Sequence, residues 1–225
     1  MNKTLRALLR IGVAAAIGAL LGGFGRKAHV LPDLRHSQTF TPAMWTSIAL
    51  WLGFSIYWSI AAKDKAPTRS GESTLSRQFH VIAVNVALLA LVLPVPGLTQ
   101  QILPASPELQ AAGLAIQAAS IGLAIWARRR LGSNWSGEVR IANGHELVRS
   151  GPYAYLRHPI YTALVGMYIG TCLVSGQLHG LVALGIMLLA YSRKIRLEER
   201  ALAEAFPSDH ERYRETTWAW IPGVY

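Results

Sequence analysis

The stretch Pro159-Ile160-Tyr161-Thr162-Ala163-Leu164-Val165-Gly166-Met167-Tyr168-Ile169-Gly170-Thr171-Cys172-Leu173-Val174-Ser175-Gly176-Gln177-Leu178-His179-Gly180-Leu181-Val182-Ala183-Leu184-Gly185-Ile186-Met187-Leu188-Leu189-Ala190-Tyr191 decides the fold. It contains no Asp, Glu, Lys or Arg. One membrane span takes about 20 apolar residues to cross roughly 30 Å of hydrocarbon. The stretch is too long for one helix and suits two that turn back at Ser175-Gly176-Gln177. Gly166 and Gly170, four apart, are expected to let these two legs pack closely. With no ionisable carboxylate or strong cation inside it, the hairpin is not read as an ion pathway. His179, near the turn, is read as a solvated residue.

Working outward, the rest of the 225-residue chain repeats the pattern: 52% of its residues are hydrophobic and only 15% charged. The expectation is an all-α, polytopic membrane protein of about six transmembrane helices, the last two forming the hairpin, with a C-terminal cytoplasmic helix. Four transmembrane helices fill residues 1–127, and residues 128–225 hold the hairpin and a C-terminal amphipathic helix, all in one membrane domain. The net charge of +10 would suggest nucleic acid in a soluble protein. Here the cations lie between apolar runs, as in cytoplasmic loops facing anionic lipid, so no nucleic-acid partner is expected. Cys172 is the single cysteine, which leaves no intrachain disulfide and points to packing.

The first span is expected over residues 5–24, as an uncleaved helix whose Lys3, Arg6 and Arg10 favour a cytoplasmic N-terminus. The second opens at Thr41-Pro42, a hydroxyl N-cap followed by proline, and runs to about Ala62, with Trp45 and Trp58 as interfacial anchors. The third runs from about Phe79 to Leu93 and stops at Pro94-Val95-Pro96-Gly97. Ser106-Pro107-Glu108 caps a fourth, reaching Trp126. The segment from Arg128 to His158 carries six Arg against two Glu, which places it in the cytoplasm; Arg26, Lys27 and Arg35 dissent from that orientation. After the hairpin comes a charged helix from Arg193. Pro207 interrupts it, Ser208 and Glu211 form a capping box for a last short helix, and the aromatic tail from Trp218 to Tyr225 lies on the membrane or folds over a pocket.

Because a hairpin returns the chain to the side it left, two polar patches should meet. One holds His145, Tyr153, Arg157, His158 and Tyr161; the other holds Lys194, Arg196, Glu198 and Glu199. Carboxylates beside cations and aromatics at a membrane mouth suit a zwitterionic or cationic small molecule. The blander alternative is that Arg157 and His158 anchor a helix end among lipid phosphates and that Glu198-Glu199 is a solvated face. No zinc-binding His-x-x-x-His and no Gly-x-Gly-x-x-Gly nucleotide loop occur, so no metal is expected.

In order and spacing, Gly132-Ser133-Asn134-Trp135-Ser136, His145-Glu146-Leu147-Val148, Gly151-Pro152-Tyr153, Arg157-His158-Pro159-Ile160-Tyr161 and Glu198-Glu199 resemble the isoprenylcysteine carboxyl methyltransferase family and its bacterial relatives. The resemblance covers residues 128–225. It implies an S-adenosylmethionine pocket on the cytoplasmic side built from His145, Glu146, Leu147, Val148, Tyr153, His158, Pro159, Ile160, Tyr161, Glu198 and Glu199. It also implies a lipophilic small-molecule or lipid-modified acceptor, reached from the bilayer and methylated on oxygen or sulfur. Two positions depart from the family pattern. Lys194 stands where these enzymes place an Arg to meet the substrate carboxylate, with Arg196 nearby, and Glu138 replaces a polar amide. Lys194 and Arg196 are the catalytic candidates, as cations beside an anionic acceptor. The implied location is a bacterial inner membrane with both termini cytoplasmic; no protein partner is inferred. Two other readings are an NADPH-dependent membrane reductase of sterol-reductase type and a non-catalytic membrane scaffold.

Overall fold

The computed structural model describes residues 41–61, 73–132 and 147–223. The expected first span and the site candidates His145 and Glu146 lie outside the described residues. Among the described residues six α-helices follow one another: α1 Pro42–Ala61, α2 Thr74–Val92, α3 Pro107–Leu131, α4 Pro159–Ser175, α5 Leu178–Ala205 and α6 Pro207–Thr216. Of these, α1, α2, α3 and α5 are long and apolar enough to cross a membrane, and α4 is a shorter apolar helix. The protein is an integral membrane protein built of helices.

The helix starts follow local chemistry. Thr41 Oγ1 accepts from the Met44 N–H at 3.2 Å, and Ser106 Oγ does the same for Leu109 ahead of Pro107, so orphan first-turn donors are satisfied. Ser73 caps α2 through Ser76, so the helix starts at Thr74, five residues before the expected start at Phe79. The expected capping box at Ser208 does not form. α6 begins at Pro207 directly after Phe206, with no side-chain cap bond, because the proline supplies a preset φ at the first helical position.

The hairpin turns at Gly176, whose φ of 62° is left-handed and favours glycine. Its second leg has no side-chain cap; instead the loop after α2 accepts the first donors, His179 N–H to Leu98 O at 2.9 Å and Leu178 N–H to Gln100 O at 3.0 Å. His179 is fully buried rather than solvated, held by Ala90 O at 2.8 Å and Gln177 Oε1 at 2.9 Å. The small residues also serve a different contact from the one expected. A Cβ on Gly170 would lie 2.5 Å from Gly113 O, and one on Gly113 would lie 2.5 Å from Gly170 O; Gly166 faces Ser120. At Gly166 and Gly170 the close approach is therefore between α4 and α3, not between the two legs.

Within this packing a polar knot is fully satisfied. Ser47 Oγ donates to Gln117 Oε1 at 2.7 Å, Gln117 Nε2 donates to Ser47 O at 3.0 Å, and Trp51 Nε1 donates to Thr171 Oγ1 at 3.0 Å. Ser47, Gln117 and Thr171 are fully buried, where an unpaired polar group is costly. The apolar core includes Phe54, Leu91, Met167, Tyr168, Met187 and Trp220. Cys172 is buried and unpaired with any other cysteine. At the far end Arg128 extends α3 beyond the expected stop at Trp126, donating to Gly132 O at 2.8 Å and Ala61 O at 2.5 Å; a cation there suits two helix C-termini.

Candidate active site

The charged continuation of α5 is part of the same helix as the second leg of the hairpin, so it runs on from Tyr191 through Lys194, Glu198 and Glu199 to Ala205. Opposite it, residues 151–154 form a short 3-10 turn, Arg157 and His158 follow, and Pro159 starts α4. The C-terminal segment returns over this entry. Arg157 and His158 N–H groups donate to Trp218 O and Ala219 O at 2.9 and 2.8 Å, and the Trp218 N–H donates to Tyr155 O at 3.0 Å. The Thr162 hydroxyl donates to Trp220 O, and the Tyr213 hydroxyl to Tyr153 O at 2.5 Å. The aromatic tail folds over the entry segment.

Between these walls the two expected patches meet. Tyr161 donates its hydroxyl to Glu198 Oε1 at 2.7 Å. His158 sits between the carboxylates, Nδ1 3.4 Å from Glu198 Oε2 and Nε2 2.7 Å from Glu199 Oε1. Arg157 Nε donates to both oxygens of Glu199 at 3.2 Å, and its Nη1 donates to Thr217 O at 2.6 Å. Arg157 thus has a structural role within the protein. The rings continue the arrangement: Tyr161 is 5.9 Å from His158 and 4.9 Å from Tyr191, and Tyr191 meets His80 edge-on at 5.3 Å.

Electrostatics follow from this crowding. Burial alone would depress the His158 imidazole, yet hydrogen bonds and charges from Glu198 and Glu199 outweigh it and raise its pKa. Burial would raise Glu199, but His158, Arg157 and His210 hold it down to about 2. Burial pushes the Tyr153 phenol well above its ordinary value, helped by the charges of Tyr213 and Glu198.

Of the other expected residues, Pro159 is buried at the start of α4 and Ile160 half-buried beside it; Leu147 and Val148 are half-buried. Lys194 is buried, one helical turn before Glu198. Arg196 is exposed, two residues away and so on a different face of the helix; the structure does not bring it to the cluster. Three contributors had no local signal in sequence: His210 and Arg214, facing Glu199 Oε2 at 3.6 and 4.0 Å, and Thr217. A cleft of about 570 Å³ opens between Arg157, Arg214, Glu211 and Trp218, and none of the expected cofactor residues lines it.

Residues 112–204 match the model of the isoprenylcysteine carboxyl methyltransferase family. This part of the chain is similar to that family. The family region thus takes in most of α3, all of α4 and nearly all of α5, with the histidine and both carboxylates. The chain is 33% identical over 79 residues to a protein-S-isoprenylcysteine O-methyltransferase of Schizosaccharomyces pombe, covering 35% of this chain and 34% of that one. It is 41% identical over 78 residues to a cobalt-zinc-cadmium resistance protein, CzcN, of Cupriavidus metallidurans, covering 34% and 35%. The aligned region thus spans about a third of the length of these curated relatives. The structure of a eukaryotic intramembrane Ras methyltransferase of the family overlays with a TM-score of 0.48 at 17% identity, covering 100% of this chain and 88% of that one, a likeness too loose to bear on the site.

Proposed function

We propose that the protein transfers a methyl group from S-adenosylmethionine to a lipophilic acceptor that enters from the bilayer and presents a carboxylate or another oxygen or sulfur nucleophile. The observation that carries this reading is the Glu198 carboxylate, steadied by Tyr161 and His158 and with 21% of its side chain still exposed. The donor set fits the cofactor. Glu198 would hold the amino group of the methionine moiety, and the faces of Tyr161 and Tyr191 would flank a sulfonium. Tyr153 and the start of α4 would close the pocket from the side of the 3-10 turn, with His145 to Val148 completing it.

When bound, S-adenosylmethionine supplies an electrophilic methyl group on sulfur. The protein's own residues then have to align the acceptor and exclude water. Lys194, buried on the face of α5 that carries Glu198, would neutralise an anionic acceptor. It supplies charge without the bidentate fork of an arginine, which favours acceptors held by charge alone over those needing two parallel hydrogen bonds. The setting proposed is a bacterial inner membrane with both termini in the cytoplasm, and the acceptor a lipophilic small molecule or a lipid-modified one.

Calorimetry on the purified protein tests this. Binding of S-adenosylhomocysteine but not NADPH, lost in Glu198→Ala, supports the reading; binding of NADPH alone moves it to a membrane reductase, and binding of neither to a scaffold. Methyl-labelled cofactor incubated with a total lipid extract would then reveal the acceptor.

A further inference from the structure

The two adjacent carboxylates differ in what is left for a ligand. Glu198 meets only Tyr161 and the His158 Nδ1 side in the described site. Glu199 is surrounded: Oε1 takes Arg157 Nε at 3.2 Å and His158 Nε2 at 2.7 Å, and Oε2 takes Arg157 Nε at 3.2 Å and faces His210 Nε2 at 3.6 Å and Arg214 Nε at 4.0 Å. Its side chain is 11% exposed against 21% for Glu198. A carboxylate already ringed by cations has little attraction left for a cationic guest. His158 is itself the residue before α4 and makes no side-chain cap bond; its ring nitrogens face the two carboxylates, and the ring packs beside Tyr161. Holding one nitrogen of an imidazole fixes where the other points.

We propose that Glu199 is a positioning residue and not a cofactor ligand: it holds the His158 ring by Nε2 and so aims Nδ1 at Glu198. His210 and Arg214, which hold Glu199 from the other side, lie on α6, beyond residue 204 where the family region ends. The C-terminal helix is thereby a working wall of the site. The groups facing His158 are Glu198 and Glu199 from α5 and Arg157 and Tyr161 from its own segment, with His210 and Arg214 of α6 behind Glu199. Only the affinity measurement below rests on the cofactor reading.

The test is Glu199→Gln in the full-length protein in detergent micelles, with His158 titrated by NMR on labelled histidine. The expected result is a His158 midpoint about one pH unit lower than in the parent protein, a shift worth a factor of about ten, with Glu199→Asp restoring part of it. Affinity for S-adenosylhomocysteine should fall about tenfold in Glu199→Gln, and adding Glu199→Gln to His158→Ala should cost nothing more, because the effect runs through His158. An unchanged midpoint would overturn the proposal, as would losses that add in the double variant, which would make Glu199 a direct cofactor contact. If the Gln variant does not fold, Glu199→Asp alone decides, since its shorter side chain must lower the midpoint by a fraction of a unit. A parent protein that binds no S-adenosylhomocysteine removes the methyltransferase reading and leaves the titration result standing.

Discussion

The Tyr161 hydroxyl donates to Glu198 Oε1 at 2.7 Å, and this one bond joins the first turn of α4 to the charged end of α5, 37 residues later. It fixes the rotamer of the carboxylate proposed to hold the cofactor. Tyr161→Phe keeps the ring and deletes the bond. A hydrogen bond to a charged group is worth about 1.5–3 kcal/mol, so affinity for S-adenosylhomocysteine should drop roughly 10- to 100-fold by calorimetry. Glu198→Ala should cost more. A Phe variant that binds as tightly as the parent would show that the carboxylate needs no such tether.

Lys194 is buried one turn before Glu198 and belongs to the acceptor side in the proposed reaction. Lys194→Ala should lower turnover on the order of 100-fold while shifting cofactor affinity less than about threefold. Equal losses in both would place Lys194 in the cofactor pocket instead. Arg196→Ala, on an exposed face, should change neither by more than about twofold.

The His158 cluster makes stability depend on pH. The folded-state pKa of His158 is raised by Glu198 and Glu199 against the pull of burial, so its stabilisation is complete below the ordinary value of about 6.5 and fades as pH rises through the folded value. Glu199, held at about 2, contributes above about pH 4.5 and loses its contribution only as pH falls toward 2. His210 is depressed by burial despite Glu199 and works the opposite way to His158, favouring the fold above pH 6.5. The clean measurement is the difference in melting temperature between the parent and His158→Gln. It should be largest near pH 5–6 and narrow toward pH 9; a difference that widens with pH would reverse the assigned charge.

Gly170 and Gly113 touch across α3 and α4, and a Cβ on Gly170 would meet Gly113 O at 2.5 Å and Gln117 Cβ at 3.0 Å. Backbone cannot yield as a flexible side-chain tip can, so Gly170→Leu should destabilise by about 1–3 kcal/mol or more, read as a lower melting temperature in detergent. Gly53→Ala is the control: no atom lies within 4 Å of the added carbon, and helix propensity gains up to about 1 kcal/mol.

The architecture was legible because its signals are local. An uncharged run of Pro159 to Tyr191 with Gly176 at its middle can only fold as a turned pair in lipid, where every backbone group must be satisfied within the helix. The caps at Thr41 and Ser106 were equally legible, since a hydroxyl before proline acts on the turn it starts. The meeting of His158 and Tyr161 with Glu198 and Glu199 also followed from sequence, because a hairpin returns the chain to the side it left.

What the sequence could not determine were partners chosen by packing. Gly166 and Gly170 have the same spacing whichever helix they face, and only the tertiary structure set them against α3. His179 carries no mark of burial; it is buried because Ala90 and Gln177 offer it both bonds. Glu198 and Glu199 are identical side chains at adjacent positions, yet a step of about 100° around the helix turns one toward Tyr161 and the other into Arg157, His210 and Arg214. Their chemistry was fixed by residue type, and their different surroundings by packing, which set the start of α4 beside Glu198 and brought the C-terminal helix only to Glu199.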